Sequence, residues 1–378
     1  MSSTSLPAAG LRRSASPAGG LGARLRAVAD AAVSPLTLDD LLDHFHPLRR
    51  EPGDGGLRGR VVEVRPETPE SATILIKPGK GWRGHVPGQY VRLGVDVDGI
   101  RLWRTYSLTH GPRADRNISI TVKAIPGGAV SEHLVRRLAP GALVHLAQAE
   151  GEFVLPDPLP EKLLLVTAGS GITPVIGMLR NLFLRAEPAR ADIVLVSVNQ
   201  SETTAIFRDE LRGHAERGHI TLVERYDDRD GVLDVATLDT LVPDLAERLA
   251  YACGPAGLLD ALEQHHADRG LALTTERFRP VVLATSEGGS VAFEQTGTDL
   301  ELDGSTTILD AAEAAGVLMP SGCRMGICMG CVLPLKEGAV RDLRTGELTV
   351  AVPGETDKGG VPIQTCINAA AGTCRIDH

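Results

Sequence analysis

Five of the chain's six cysteines lie in its last ninety residues, and four of those are spaced as metal ligands. Cys323-Arg-Met-Gly-Ile-Cys328-Met-Gly-Cys331 is followed by Cys366 after 34 intervening residues. Cys-x4-Cys-x2-Cys with a distant fourth cysteine is the spacing of a [2Fe–2S] centre, which takes four thiolates. Gly322, Gly326 and Gly330 let a tight loop turn its N–H groups toward the sulfurs. The competing reading is a structural zinc site, which usually uses two separated short-spaced pairs. Cys374 stands outside the pattern and reads as an ordinary thiol.

A second set of residues suits a flat heterocycle carrying phosphates. Arg104-Thr105-Tyr106-Ser107 offers a guanidinium fork, a ring face and a hydroxyl within one short segment. Gly127-Gly128-Ala129-Val130-Ser131 places backbone N–H groups and a hydroxyl at a helix start, where an anion is stabilised. Any one of these alone is a half-buried strand tyrosine or a hairpin turn. With Pro87-Gly88-Gln89-Tyr90-Val91 upstream, the three in order resemble the flavin elements of the ferredoxin-NADP⁺ reductase superfamily.

Val166-Thr167-Ala168-Gly169-Ser170-Gly171-Ile172-Thr173-Pro174 reads as a strand, a Gly-rich turn, an N-cap Thr173 and a Pro174 at the first helical position. Such a turn lets a pyrophosphate approach the helix N-terminus. Tyr251-Ala252-Cys253-Gly254-Pro255 resembles the Cys-Gly-Pro motif that sets a thiol beside the nicotinamide in the same superfamily, although a lone strand cysteine is usually a small core hydrophobe. Glu276-Arg277-Phe278 resembles the Glu-x-Phe that ends the nucleotide domain in relatives with a C-terminal ferredoxin. Of the histidines, His44, His46, His265 and His266 read as solvated.

The elements that must position these groups follow from periodicity. From Leu57 to Asp157, short apolar or alternating runs over 59–64, 72–76, 90–95, 102–108, 118–122 and 143–147 predict a small antiparallel barrel. From 158 to 280, buried strands at 163–167, 192–198, 220–224 and 249–253 alternate with helices, including one between 224 and 249, and predict a parallel sheet covered on both faces. Residues 281–290 read as a linker within the stretch Arg279–Ser290, RPVVLATSEGGS. A hairpin at 291–302 and a helix over 307–315 open a third unit at 291–378. Residues 1–34 are too rich in Ser, Ala, Pro, Gly and Arg to bury a core, and 35–56 carry Leu38, Leu41, Leu42 and Phe45 at helical spacing.

Composition bounds the rest. At 378 residues, 43% hydrophobic and 23% charged, the chain supports two or three globular domains. No apolar run reaches the length of a membrane span, and no secretory apolar core is visible, so a cytoplasmic location is expected. A net charge of −9 argues against a nucleic-acid partner. The last ninety residues hold 12 acidic against 6 basic residues, and so carry two thirds of that charge.

Ile308-Leu309-Asp310-Ala311-Ala312, Gly316-Val317, the cysteine loop and Gln364-Thr365-Cys366 resemble a plant-type ferredoxin. Over 57–378 the chain therefore resembles bacterial ferredoxin reductases of the phenylacetyl-CoA-oxygenase and acyl-CoA-desaturase type. The resemblance implies a multidomain fold: an antiparallel β-barrel flavin domain, a doubly wound α/β nucleotide domain and an α+β β-grasp ferredoxin domain. It implies FAD, a [2Fe–2S] cluster on Cys323, Cys328, Cys331 and Cys366, and NADPH, with NADH as the alternative. Arg104, Thr105, Tyr106, Ser107, Gly127, Gly128, Val130 and Ser131 would then serve the flavin. Gly169, Ser170, Gly171, Thr173, Pro174, Cys253, Gly254, Pro255, Glu276 and Phe278 would serve the nucleotide and the flavin edge, with Cys253, Tyr106 and Ser107 catalytic. Arg208, Arg225 and Arg229 are candidates for a 2′-phosphate. The implied partner is a separate di-iron fatty-acyl desaturase, which could be membrane-bound; the alternatives are an aromatic or alkane hydroxylase and, in another class, a zinc-binding interaction protein.

Overall fold

The computed structural model describes residues 57–97, 99–184, 191–278, 284–322, 324–326, 329–353 and 359–378. The leader, the helical extension, His44, His46, Cys323, Cys328 and the first part of the expected linker lie outside the described residues.

The first domain is a six-stranded antiparallel sheet in the order β4-β3-β6-β1-β2-β5. Its strands are β1 (Leu57–Thr68), β2 (Ser71–Pro78), β3 (Tyr90–Val97), β4 (Ile100–Ser107), β5 (Ile118–Lys123) and β6 (Leu143–Glu150). A single bridge from Leu108 to Ile120 joins the two edges, so the sheet curls round into the predicted barrel. Alternation puts Ile74, Ile76, Val91, Leu93, Ile118 and Ile120 inside. All six expected strands form; five run past their apolar stretches because ladder pairing continues beyond the buried residues, while β4 starts earlier than expected and ends at Ser107, leaving Leu108 in the isolated bridge.

The second domain is a five-stranded parallel sheet, β11-β10-β7-β8-β9. It comprises β7 (Lys162–Ala168), β8 (Asp192–Asn199), β9 (Thr221–Tyr226), β10 (Leu249–Cys253) and β11 (Leu273–Glu276). Leu163, Leu165, Ile193 and Leu195 pack on one face with the Ile172–Phe183 helix. Leu164, Val166, Val194 and Val196 pack on the other with Leu259 and Leu262 of the Ala256–Ala267 helix. The three central strands, β7, β8 and β10, are buried on both sides, which is why their sequences are largely apolar, whereas the edge strands β9 and β11 are only partly buried and carry polar residues. The chain runs β7, β8, β9 outward and returns to β10 on the far side of β7, so the crevice at this reversal opens between the Gly169 turn and Gly254-Pro255.

Three expectations are corrected here. The single helix between β9 and β10 is instead a chain of short turns at 227–230, 235–237, 238–241 and 245–247. Thr173 is not the N-cap: a 3₁₀ turn over Gly169–Gly171 runs directly into the helix, so Gly171 caps it and Pro174 falls at the third position, where an N–H is still dispensable. Thr173 Oγ1 instead donates to the Ser170 carbonyl at 2.9 Å. His265 and His266 are buried, because the end of their helix turns inward, with His266 Nδ1 2.8 Å from the Leu262 carbonyl oxygen.

The third domain is a mixed sheet, β13-β12-β18-β14-β15, with β16 and β17 also paired to β14. Its strands are β12 (Gly289–Phe293), β13 (Thr298–Leu302), β14 (Val332–Asp342), β15 (Leu348–Ala351), β16 (Val361–Gln364), β17 (Asn368–Ala370) and β18 (Cys374–Ile376). The Ile308–Ala314 helix is capped by Thr307, whose Oγ1 accepts from the Asp310 N–H at 3.1 Å. The described end of the expected linker belongs to this domain: the Ala284 and Ser286 N–H groups donate to the Leu343 and Gly304 carbonyls, and Gly289 already lies in β12. Cys374, outside the ligand pattern, is buried in β18, and burial pushes its thiol up to about 11.

Candidate active site

A cavity of about 480 Å³ opens where the three domains meet, with Tyr106, Ser107, Ser170, Thr173, Glu276 and Met325 on its walls. A groove of about 570 Å³ shares Lys123, Ser170, Gln200, Arg277 and Phe278 with it and continues past Gly169, Gly254 and Pro255. Two expected clusters, one on the barrel and one on the nucleotide domain, therefore line one connected space.

Register sets the barrel wall. Tyr90 pairs with Ser107 and Val91 with Tyr106. Behind them Gln89 accepts from the Val86 N–H at 2.9 Å and receives the Leu108 N–H at its carbonyl. Gly88 is required here: its φ is +99°, and a Cβ would stand 1.9 Å from the Phe153 carbonyl oxygen. Burial raises the Tyr106 phenol, so it stays protonated and offers a neutral ring. Thr105 Oγ1 is buried without a partner, a polar atom that a bound cofactor could satisfy.

Some expected flavin contacts point elsewhere. Ser131 Oγ accepts from the Ile125 N–H and donates to the Gly128 carbonyl, so its hydroxyl closes the local turn. Val130 is buried in the barrel core and leaves only its backbone for a ligand. Gly127 has φ +75° with open space around it, and Gly128 caps the Ala129–Arg136 helix, so this turn keeps its shape for an anion. Arg104 faces the third domain: Nη1 donates to the Trp103 carbonyl at 2.8 Å and Nη2 lies 3.9 Å from Glu313 Oε2. Glu313 also binds Arg324, which pairs with Asp310 at 2.8 Å.

Cys253 is fully buried beneath the floor of the crevice, with the half-buried Gly254 and the exposed Pro255 lining the groove above it. A Cβ on Gly171 would be 2.0 Å from the Cys253 carbonyl oxygen, which presses the phosphate turn onto the end of β10. Cys253 pairs in register with Glu276. Burial, then the Glu276 charge, raise the thiol well above its ordinary value. Burial pushes the Glu276 carboxyl up to about 8, against a hydrogen bond from Ser107 Oγ at 3.5 Å. Near neutral pH a protonated carboxyl, a hydroxyl and a thiol thus stand together at the domain junction, a set able to hold or pass a proton. Phe278 stands at the mouth, 39% exposed.

The sequence reading missed Met325, which brings the cysteine loop into the flavin cavity, and Lys123, Gln200 and Arg277, which line the shared passage. Met325 could have been found, because it lies between two expected ligands. Lys123 ends a strand with nothing local to mark it. The 2′-phosphate candidates are engaged: Arg208 with Asp209 and Glu202, and Arg225 and Arg229 with Asp230. Asp227 lines the groove at that end.

Cys331 and Cys366 are buried with their sulfurs 3.1 Å apart, too far for an S–S bond and close enough to ligate together. Thr365 Oγ1 and N–H both donate to the Cys331 carbonyl, at 3.0 and 3.2 Å, and fix the distant fourth cysteine against the loop. Arg324 and Met329 hold positive φ of 59° and 56°, and Gly326 73°, so the loop is tightly wound. These residues fit the cluster that the spacing implies.

Comparison with known proteins agrees with this division. Residues 81–155 match the oxidoreductase FAD-binding domain family, 165–264 the oxidoreductase NAD-binding domain family, and 292–371 the 2Fe-2S iron-sulfur cluster binding domain family. An NADPH oxidoreductase of Mycobacterium tuberculosis is 42% identical over 93% of this chain and 92% of its own. The reductase subunit of stachydrine N-demethylase from Rhizobium meliloti is 28% identical over 76% of this chain and 88% of its own. The solved structure of phthalate dioxygenase reductase shares the fold, with a TM-score of 0.56, 24% identity and coverage of 86% of this chain and 98% of that one. The zinc-binding alternative is thereby displaced, and the chain belongs to the family of NAD(P)H-dependent oxidoreductases that carry FAD and a [2Fe–2S] cluster.

Proposed function

We propose that this chain is the reductase component of a multicomponent oxygen-using system, taking a hydride from NADPH and releasing single electrons to a separate iron enzyme. The observation that carries the reading is the shared space in which Tyr106 and Ser107 of the barrel, Ser170 and Glu276 of the nucleotide domain and Met325 of the cysteine loop meet. FAD, when bound, converts a two-electron hydride into one-electron steps that a [2Fe–2S] centre can accept.

The chain's own residues supply geometry and protons. Tyr106 offers a neutral ring face, and Ser107 a hydroxyl tied to Glu276. The Gly169–Gly171 turn holds the dinucleotide phosphates at a helix N-terminus. Cys253 acts from beneath, setting the floor against which the nicotinamide lies. The Mycobacterium tuberculosis relative's name supports NADPH over NADH. A 2′-phosphate would have to draw Arg208, Arg225 or Arg229 from its present carboxylate.

For the electron acceptor, a 28% identical relative named as the reductase subunit of a glycine betaine monooxygenase favours an oxygenase. A fatty-acyl desaturase is the acceptor favoured by the resemblance to reductases of the acyl-CoA-desaturase type. The acidic third domain suits a basic docking patch on either. The test is purification with visible spectroscopy, anaerobic titration with NADPH and NADH in parallel, and reconstitution with each acceptor class. Flavin and cluster bleaching with NADPH at lower concentrations than NADH is expected. A colourless protein, or one reduced by neither nucleotide, overturns the proposal.

A further inference from the structure

The helix that begins at the phosphate turn is bolted at its other end to the flavin strand. Arg180, in the third turn of the Ile172–Phe183 helix, is 4% exposed. Its Nε and Nη2 donate to the two carboxylate oxygens of Glu210 at 2.7 and 2.6 Å, and its Nη1 donates to the Thr109 carbonyl at 2.8 Å. The guanidinium carbon lies 4.7 Å from the Phe207 ring centroid. Burial alone would raise the Glu210 carboxyl, but Arg180's hydrogen bonds and charge more than offset it and keep Glu210 ionised. One buried side chain thus spends its whole fork on two elements from different domains.

Thr109 is two residues beyond Ser107 and is locked to β5, its N–H donating to Ser119 O at 2.9 Å and its hydroxyl 2.7 Å from Ser119 Oγ. One turn before Arg180, Gly177 lets the helix touch this segment: a Cβ there would be 2.4 Å from the Leu108 carbonyl oxygen. One residue after it, Asn181 fills the space where a Cβ on Gly111 would stand, 2.5 Å from its Oδ1. The same helix starts at the Gly169–Gly171 turn, about 12 Å away at 1.5 Å per residue. Packed interiors transmit displacement with little compliance, so a shift at residues 108–111 reappears at the phosphate turn.

We propose that Arg180, held by Glu210 and seated through Gly177, is a positioning residue that sets the distance between the flavin and the nicotinamide. It touches neither cofactor. It fixes the segment following Tyr106 and Ser107 against the helix that carries the nucleotide turn. The proposal rests on the functional reading above, because it assigns Arg180 a part in hydride transfer between those two groups. A misplacement of about 1 Å can cost about 100-fold in such a step.

The test uses the full-length protein with FAD and cluster bound. Arg180→Lys keeps the charge and loses the fork; Gly177→Ala pushes the helix off Leu108 with Arg180 intact. Each is expected to lower the saturating stopped-flow rate of flavin reduction by NADPH by about 10-fold or more. Each should also weaken the long-wavelength charge-transfer absorbance of the nucleotide–flavin complex. Flavin content and the NADP⁺ dissociation constant should stay within about two-fold of wild type. A variant with normal flavin content, an unchanged rate and an intact charge-transfer band overturns the proposal. Loss of flavin from both variants also overturns it, since the contact would then merely support the barrel. A wild-type protein that NADPH cannot reduce refutes the functional reading itself, and is recognised before any variant is made.

Discussion

The barrel meets its two neighbours in different ways. Toward the nucleotide domain the joint is made by one buried side chain and close backbone contact: Arg180 is buried and bidentate, and Gly177 and Gly111 sit where no Cβ fits. Toward the third domain the joint includes Arg104 3.9 Å from Glu313, both about one quarter exposed, and Met325 reaching into the flavin cavity. The contrast follows the chemistry on each side. A hydride moves only when donor and acceptor atoms are about 3–3.5 Å apart and aligned, so the first joint must be stiff. An electron needs proximity without orbital alignment of that kind, so an ion pair screened by water suffices for the second.

If the two joints serve separable steps, breaking one should leave the other intact. The largest effect is expected from Cys331→Ser, which should abolish the cluster's visible and electron paramagnetic signals while FAD stays bound and NADPH still reduces it. Cys374→Ser is the control and should keep both signals, because that thiol is held in β18. A native cluster signal in the Cys331 variant would sink the ligand assignment.

Next in size, Cys253→Ala should slow flavin reduction by about 10- to 100-fold with flavin content unchanged. An unchanged stopped-flow rate would return Cys253 to the role of a core side chain.

Glu276 sharpens the same side through pH. Its carboxyl titrates at about 8 in the folded chain against an ordinary 4.5, so between those values the folded state keeps a proton that the unfolded state has lost. Its contribution to stability is therefore complete below about pH 4.5 and is lost as pH rises toward 8. Glu276→Gln cannot titrate, and should flatten the decline in Tm across that window. Parallel Tm profiles for variant and wild type would show that the carboxyl is not held neutral.

The smallest effect belongs to the looser joint. Glu313→Gln should slow reoxidation of the flavin by the cluster about two- to five-fold, as expected for a partly exposed pair worth about 1 kcal/mol or less, and leave hydride transfer alone. Raising salt in the wild type should reproduce part of the loss. A matching loss in the hydride step would mean that the two joints are one.

The sequence made the local features of this division legible and concealed the long-range ones. Cysteine spacing, alternating strands and the Gly169–Gly171 turn are set by neighbours in the chain, so Tyr106, Ser107, Ser170 and Glu276 could be named and do line one cavity. Arg104 reads locally as a phosphate fork, but its Glu313 partner lies two domains away. Arg180 sits in an apolar helix with no motif to mark it, and its partners Thr109 and Glu210 come from both sides in sequence. His265 and His266 looked solvated because burial depends on which way the helix end turns. The broken segment between β9 and β10 lost its helix to short turns, one of them capped by the Asp234 carboxylate on the Ala236 N–H, a competition that helical periodicity alone does not register.

The third domain's sheet has a consequence for how the protein is made. β18, the last strand described, pairs with both β12 and β14 and occupies the middle of the sheet. On the ribosome the cysteine loop emerges dozens of residues before that strand, so the sheet cannot close around the ligands as they appear. Until Cys374–Ile376 docks, β12 and β14 lack the strand they share, and it is closure of this sheet that takes Cys374, the fifth cysteine of the domain, out of solvent.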